Sequence, residues 1–158
     1  MFDTLVKPVY FDFESDFVDT FRCIPMIVRY KLDTCDKKLQ LAEWSRLKAN
    51  EKQILAELPC ESPAEIVAYR RYLDERVWER SQKVVKALGG VEATWEDLTQ
   101  VPLEVRQKAA EWQCAAPTLA QWICLDLLQR FALVKLSRSG HEGENFPKAL
   151  QEFGVLES

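Results

Sequence analysis

Histidine occurs once in this 158-residue chain, at position 141, and glycine only five times. One imidazole cannot supply the several histidines of a zinc centre, and a Cys–His or Ser–His nucleophile would have to be built around His141 alone. The scarce glycines form neither a G-x-G-x-x-G turn nor a lysine-bearing phosphate loop, so nucleotide binding of those kinds is not indicated. The five cysteines, Cys23, Cys35, Cys60, Cys114 and Cys124, include no Cys-x-x-Cys pair, and their separations of 12, 25, 54 and 10 residues suit neither a zinc finger nor an iron–sulfur ligand run. No metal and no cofactor is therefore expected. The chain has no basic excess either: 21 Lys and Arg against 25 Asp and Glu give a net charge of −4, which argues against general nucleic-acid binding.

A long unbroken apolar run is also missing. The greasiest stretch, residues 117–136, is interrupted by Gln121, Asp126, Gln129, Arg130 and Lys135, so it reads as a buried helix and not as a membrane span. The beginning of the chain carries an early acid, Asp3, and no basic n-region, unlike a signal peptide. An odd, scattered set of cysteines without a secretion signal suggests reduced thiols and a cytoplasmic location. No spacing singles out two of the 25 acids as a catalytic carboxylate pair; most read as solvated helix faces, such as Glu79 beside Lys83.

What is present is helical patterning, with 47% hydrophobic and 29% charged residues in an ordinary globular balance. The pattern predicts an all-α single domain of about five or six helices, with residues 1–19 extended or irregular. Phe11-Asp12-Phe13 alternates like a short strand. Pro25 suits the first turn of a helix on which Val28, Leu32 and Cys35 share a face and Arg29 and Asp33 are spaced to pair. Ser62-Pro63-Ala64-Glu65 is a capping box, and Gly89-Gly90 a stop; between them a helix of about 26 residues is expected. Its apolar stripe holds Ile66, Tyr69, Leu73, Val77, Val84 and Leu88 with Arg80 in the middle, while Val67, Trp78 and Val85 form a second line. A third helix from Pro117 is apolar at nearly every azimuth apart from Asp126 and Arg130, as a central helix would be. Residues 137–158 read as a Ser/Gly loop followed by a weak helix from Pro147, capped by Asn145, whose end frays.

An approximate repeat runs through the middle. Trp44-x-x-Leu47, a short helical run and Cys60-x-x-Pro63 are echoed by Trp95-x-x-Leu98, a second run and Cys114-x-x-Pro117. The tryptophans are offset by 51 residues and the cysteines by 54. Two copies are too few for a solenoid, and suggest paired helical hairpins.

Two constellations invite a functional reading. Arg22-Cys23-Ile24-Pro25-Met26 precedes an amphipathic turn that continues to Arg29 and Lys31. Arg22 and Cys23 could join the start of this helix to a partner or an anion; the plainer account has Arg22 bonded to a carboxylate of the acidic N-terminal stretch, with Cys23 and Met26 buried. Trp78 stands off the main stripe near Arg71, Glu75 and Lys86, and so is a candidate partner-binding anchor, with core packing as the competing reading; the other four tryptophans read as anchors of helix junctions. Cys60 and Cys114 each lie three residues before a helix-opening proline, where a helix dipole can activate a thiol; the competing reading is a buried plug. Cys23 is the third possible reactive thiol, and Cys124 is expected to be packing.

The run from Phe11 through Phe17, then Arg22 to Asp33, then Lys38 to Leu47 and Glu57-Leu58-Pro59-Cys60, resembles the nitrate reductase-associated protein family of cyanobacteria. The likeness is strong over about 50 residues and general in shape to about Leu136, with Arg-Cys-Ile-Pro-Met its most specific element. The family pattern has a glycine where this chain has Asp36, a residue that also tolerates turn conformations. The resemblance implies a soluble, non-enzymatic accessory or maturation protein for assimilatory, ferredoxin-dependent nitrate reductase, an enzyme with a molybdenum cofactor and an iron–sulfur cluster. It carries over no catalytic residue. The expected partner is that enzyme, met through Arg22, Cys23, Pro25, Met26, Arg29, Lys31 and Trp78, with no nucleic acid and no membrane. A thiol-based redox regulator using Cys23, Cys60 or Cys114, and a small-metabolite enzyme, are the alternatives.

Overall fold

The structure is a computed structural model that describes residues 8–139 and 144–156. Among these residues it is mainly helical, with nine α-helices and one two-stranded pairing. The chain divides into two compact units, Met1–Val91 and Glu92–Ser158.

In the first unit, Asp12–Glu14 forms a 3-10 turn that runs into α1 (Ser15–Val18). The strand expected at Phe11–Phe13 is therefore not formed. On that turn the rings of Phe11 and Phe13 lie 5.4 Å apart and nearly parallel. α2 (Met26–Thr34) follows Pro25 and buries Ile27, Val28 and Leu32 completely or nearly so, with Cys35 closing its end. Asp36 then takes φ +58°, so the turn does use the left-handed region that its glycine-like position implied.

α3 (Leu41–Ser45) and α4 (Ala49–Glu57) lead to α5 (Pro63–Ser81). The predicted capping box is present: Glu65 N–H donates to Ser62 Oγ at 3.2 Å and Ser62 N–H to Glu65 Oε1 at 2.9 Å. The helix, however, is 19 residues long, shorter than expected. It ends at Gln82, which adopts φ +54°, and the chain then pairs Lys86 and Ala87 (β2) antiparallel with Lys38 and Lys37 (β1). Sheet pairing wins over continued helix, so Val84 lies exposed while Val85 is buried. The stripe Tyr69, Leu73 and Val77 is buried as read, whereas Lys83 falls outside the helix and Glu79 pairs with Arg76 at 2.6 Å. Arg80 interrupts the stripe because it reaches Glu51 of α4 through both guanidinium arms, at 3.0 and 2.7 Å.

The second unit has a 3-10 turn at Thr94–Glu96, then α6 (Leu103–Glu111), α7 (Leu119–Cys124), α8 (Leu127–Arg138) and α9 (Asn145–Glu152). The expected single helix from Pro117 is two. Leu125 is extended, and Asp126 starts α8 with its own capping box to Gln129, at 2.8 and 3.0 Å. Local capping chemistry thus breaks an otherwise continuous apolar run. α8 is the central helix of this unit, with Phe131, Ala132, Leu133, Val134 and Leu136 fully buried and α6 and α9 packed against it.

α9 begins at Asn145, not at Pro147, and buries Phe146, Ala149 and Leu150. Its end is held, not frayed. Gly154 at φ +78° allows Val155 N–H to reach Leu150 O at 2.9 Å and Gly154 N–H to reach Gln151 O at 3.1 Å, a Schellman closure. The count of five or six helices fell short because α1 and α3 are too brief to show periodicity and the run after Pro117 splits.

The repeat has a physical basis in each unit. A buried tryptophan (Trp44, Trp95) precedes a nine-residue helix (α4, α6), which precedes a cysteine. The structures diverge after that cysteine: Pro63 opens a long helix, whereas Pro117 stands before the cap Thr118.

Candidate functional site

The Arg22–Lys31 segment is arranged around one carboxylate. Glu14, 1% exposed, accepts Phe11 N–H at 3.1 Å and Met26 N–H at 2.8 Å. Met26 is the first residue of α2, so a side chain from the preceding turn already satisfies the amide end of that helix. Pro25 and Met26 are buried, and Arg29 Nε donates to Ile24 O at 3.0 Å. Arg22 lies exposed and holds Asp16, with NH1 to its carbonyl at 2.9 Å and NH2 to its carboxylate at 3.4 Å. The plainer account of this segment is the one the geometry follows, although Cys23 is only half-buried. Of the predicted contact residues here, Arg22, Cys23 and Arg29 reach the surface, while Pro25, Met26 and Lys31 do not.

Lys31 instead occupies the interior. It is 1% exposed, and its Nζ donates to Ala56 O at 2.7 Å and Leu58 O at 2.6 Å, the carbonyls that end α4. A cation at a helix C-terminus is favoured there, but burial still pushes the amine from 10.5 down to about 8. Its place on α2, one turn before Cys35, was visible in the sequence; its partners on α4 were not.

Beside this amine lies a pair of thiols. Cys35, at the end of α2, and Cys60, in the turn between α4 and α5, are both buried, and their side chains influence one another. Backbone geometry holds them together: the Lys31 carbonyl accepts Cys35 N–H at 3.0 Å and has Cys60 Sγ at 3.7 Å. Cys35 Sγ lies 3.6 Å from Leu32 O. Cys60 lowers the Cys35 thiol below its ordinary range, with Arg70 and Lys37 adding to the effect. Cys60 is pushed up by Cys35 and by burial. The two thiols are thus shifted in opposite directions. Tyr69, fully buried, donates its hydroxyl to Leu55 O at 2.7 Å, and burial raises its pKa well above 10.

The remaining candidates scatter. Cys114 is half-buried with Sγ 3.5 Å from Trp112 O, and Cys124 is exposed, contrary to the packing role expected for it. Trp78 is 56% exposed on α5. Trp112 is exposed as well, whereas Trp44 Nε1 donates to Phe21 O at 2.7 Å and Trp122 Nε1 to Asp97 O at 3.0 Å. His141 lies outside the described residues. Among those that are described, no group of three His, Cys, Asp or Glu side chains is placed to hold a metal ion, and no helix is long and apolar enough to cross a membrane.

Fold and site together describe a small, mainly helical protein whose distinctive chemistry is a buried lysine, a thiol pair and a helix-capping carboxylate. The family model for conserved nitrate reductase-associated proteins matches residues 10–153, and the chain belongs to that family. Neither a curated protein nor a solved structure gives a match to the chain.

Proposed function

We propose that this protein is a non-enzymatic accessory factor for assimilatory, ferredoxin-dependent nitrate reductase, acting in the cytoplasm by protein–protein contact during maturation, cofactor insertion or stabilisation of that enzyme. The observation that carries the reading is the family match across residues 10–153, which ties nearly the whole chain to nitrate reductase. An accessory role of this kind needs shape and complementary charge and no cofactor of its own. The groups that would serve it are the exposed Arg22 and the half-buried Cys23 and Arg29 at the start of α2, and exposed Trp78 on α5, an aromatic of the type that anchors interfaces.

Co-purification with nitrate reductase tests the proposal, using the parent protein and the Arg22→Ala and Trp78→Ala variants. The parent should retain the enzyme, and at least one variant should lose most of that retention while keeping its helical circular dichroism. Undiminished retention by both folded variants would remove this surface. Failure of the parent to associate, together with unchanged reductase activity in cells lacking the protein, would remove the function.

A further inference from the structure

The two-stranded ribbon of the first unit sets like charges against each other. In its antiparallel register Lys38 lies directly opposite Lys86, and both are exposed. Side chains paired in this way stand on one face with Cβ atoms about 4.5–5.5 Å apart, which costs stability when the charges match. Lysines guard the edges of longer strands, but two residues per strand offer little edge to guard. The acids of the ribbon turn and of the adjoining half of α5 are already engaged. Asp36 Oδ1 accepts Gly90 N–H at 3.1 Å, and Asp74 holds Lys37 at 3.1 Å. Glu75 and Glu79 both turn to Arg76, at 3.9 and 2.6 Å. Lys38, Arg71, Lys83 and Lys86 form no ion pair among the described residues.

Apolar surface lies beside these cations. Residues 71, 74 and 78 share one face of α5 by their spacing, and the Asp74 contact to Lys37 sets that face beside the ribbon. Trp78 on this face is 56% exposed, and Val84, two residues before Lys86, is 73% exposed. An uncovered indole with a rim of unpaired cations is suited to a partner that is apolar at its centre and negative around it. We propose that Trp78, Val84, Lys38, Lys86, Lys83 and Arg71 form a docking surface for an acidic protein segment, a stretch of Asp and Glu carrying an apolar side chain. Its carboxylates offset the repulsion between Lys38 and Lys86, and its apolar residue covers Trp78. A small inorganic anion would satisfy the lysines and leave the indole bare. The inference goes beyond the association with nitrate reductase, whose failure would leave this surface standing, because the probe is a synthetic peptide.

The probe is a fluorescein-labelled peptide of glutamates with one central leucine, titrated with the full-length protein and followed by anisotropy. The parent should bind it, with an affinity that falls steeply between about 0.05 and 0.5 M sodium chloride. Lys38→Glu should weaken binding by about tenfold, since attraction at that position becomes repulsion. Its urea midpoint should stay at or above the parent's, because opposite charges then face each other across the ribbon. Trp78→Ala should weaken binding by about fivefold at every salt concentration, its part being apolar. Lys148→Glu, the same charge change at an exposed position of α9, should keep the affinity within about twofold of the parent's. A parent that does not bind, equal weakening by Lys148→Glu, or a lowered midpoint in Lys38→Glu would overturn the proposal. So would a Lys38→Glu variant that keeps the peptide but loses sedimentation with phosphatidylserine vesicles, which would make the occupant a membrane surface.

Discussion

Replacing Glu14 with alanine isolates the largest single effect expected from a polar side chain of the first unit. Its two oxygens accept the backbone amides of Phe11 and Met26 at 3.1 and 2.8 Å, and these residues are 7% and 3% exposed, so water cannot readily take over. A buried donor left without an acceptor costs about 1–3 kcal/mol, and loss of a negative charge at the start of a helix adds about 0.3–1 kcal/mol. The two amides and the helix end together suggest a loss of about 2–7 kcal/mol. With a urea dependence on the order of 2 kcal/mol per molar, the midpoint should fall by about 1–3.5 M. Equilibrium urea denaturation followed by tryptophan fluorescence reads this directly, since Trp44 is in the same unit. Glu14→Gln keeps one acceptor oxygen and turns an amide donor toward the other N–H, so it should fall between the parent and the alanine variant. A Glu14→Ala midpoint within about 0.2 M of the parent would refute the claim that this carboxylate caps α2, because stranded buried amides cannot be that cheap.

Four further outcomes follow from the same geometry. Because burial lowers Lys31 from 10.5 to about 8, the unfolded chain holds that proton more tightly between those values, and the parent should gain stability relative to Lys31→Met as pH rises from about 8 to about 10.5; a flat difference in denaturation midpoints would contradict this. Glu51 is held below its ordinary range by the Arg80 hydrogen bonds, so Arg80→Met should destabilise the protein near neutral pH, and the difference should vanish as the pH falls below the usual 4.5 and through the depressed folded value. Tyr69→Phe strands the Leu55 carbonyl in the interior and should cost about 1–2 kcal/mol in thermal or urea melts. Gln113 closes α6 at φ +56° in a Schellman turn, with Cys114 N–H on Ala109 O at 2.8 Å, so Gln113→Gly should stabilise the protein by about 0.5–1 kcal/mol.

Elements whose signals were local were legible in the sequence. The capping box at Ser62, the face of Val28, Leu32 and Cys35 and the apolar density around Phe131 to Leu136 follow from spacings of four residues or fewer, and all are present, while the turn at Asp36 came from the family resemblance. Features that depend on distant partners were not. Nothing in residues 83–88 announces that Lys86 and Ala87 will pair with β1, so the helix was carried too far. The Leu125–Asp126 break was hidden because the capping residues sit inside an apolar run that favours helix on hydrophobicity alone. Met26 and Lys31 looked available to a partner because a short motif shows what a residue is and not what covers it. Glu14, twelve residues upstream, and the end of α4, some 25 residues downstream, do the covering. The thiol pair was missed for the same reason: Cys35 and Cys60 are 25 residues apart and come near one another only through the turn of the chain between them.

The corner between α7 and α8 turns the Leu125 oxygen away from a continuous spiral. Arg130 joins it to the turn at Thr94–Glu96, its NH1 on Leu125 O and its Nε on Trp95 O at 2.8 Å, although burial disfavours its charge. A flat, forked cation reaches two such oxygens from two separate nitrogens in a fixed geometry, whereas a lysine would have to bring both to a single ammonium. The bend is thus written in two places, a cap at residue 126 and a fork one turn later, and a chain that drifted at either position would be pushed toward straightening the segment into one rod.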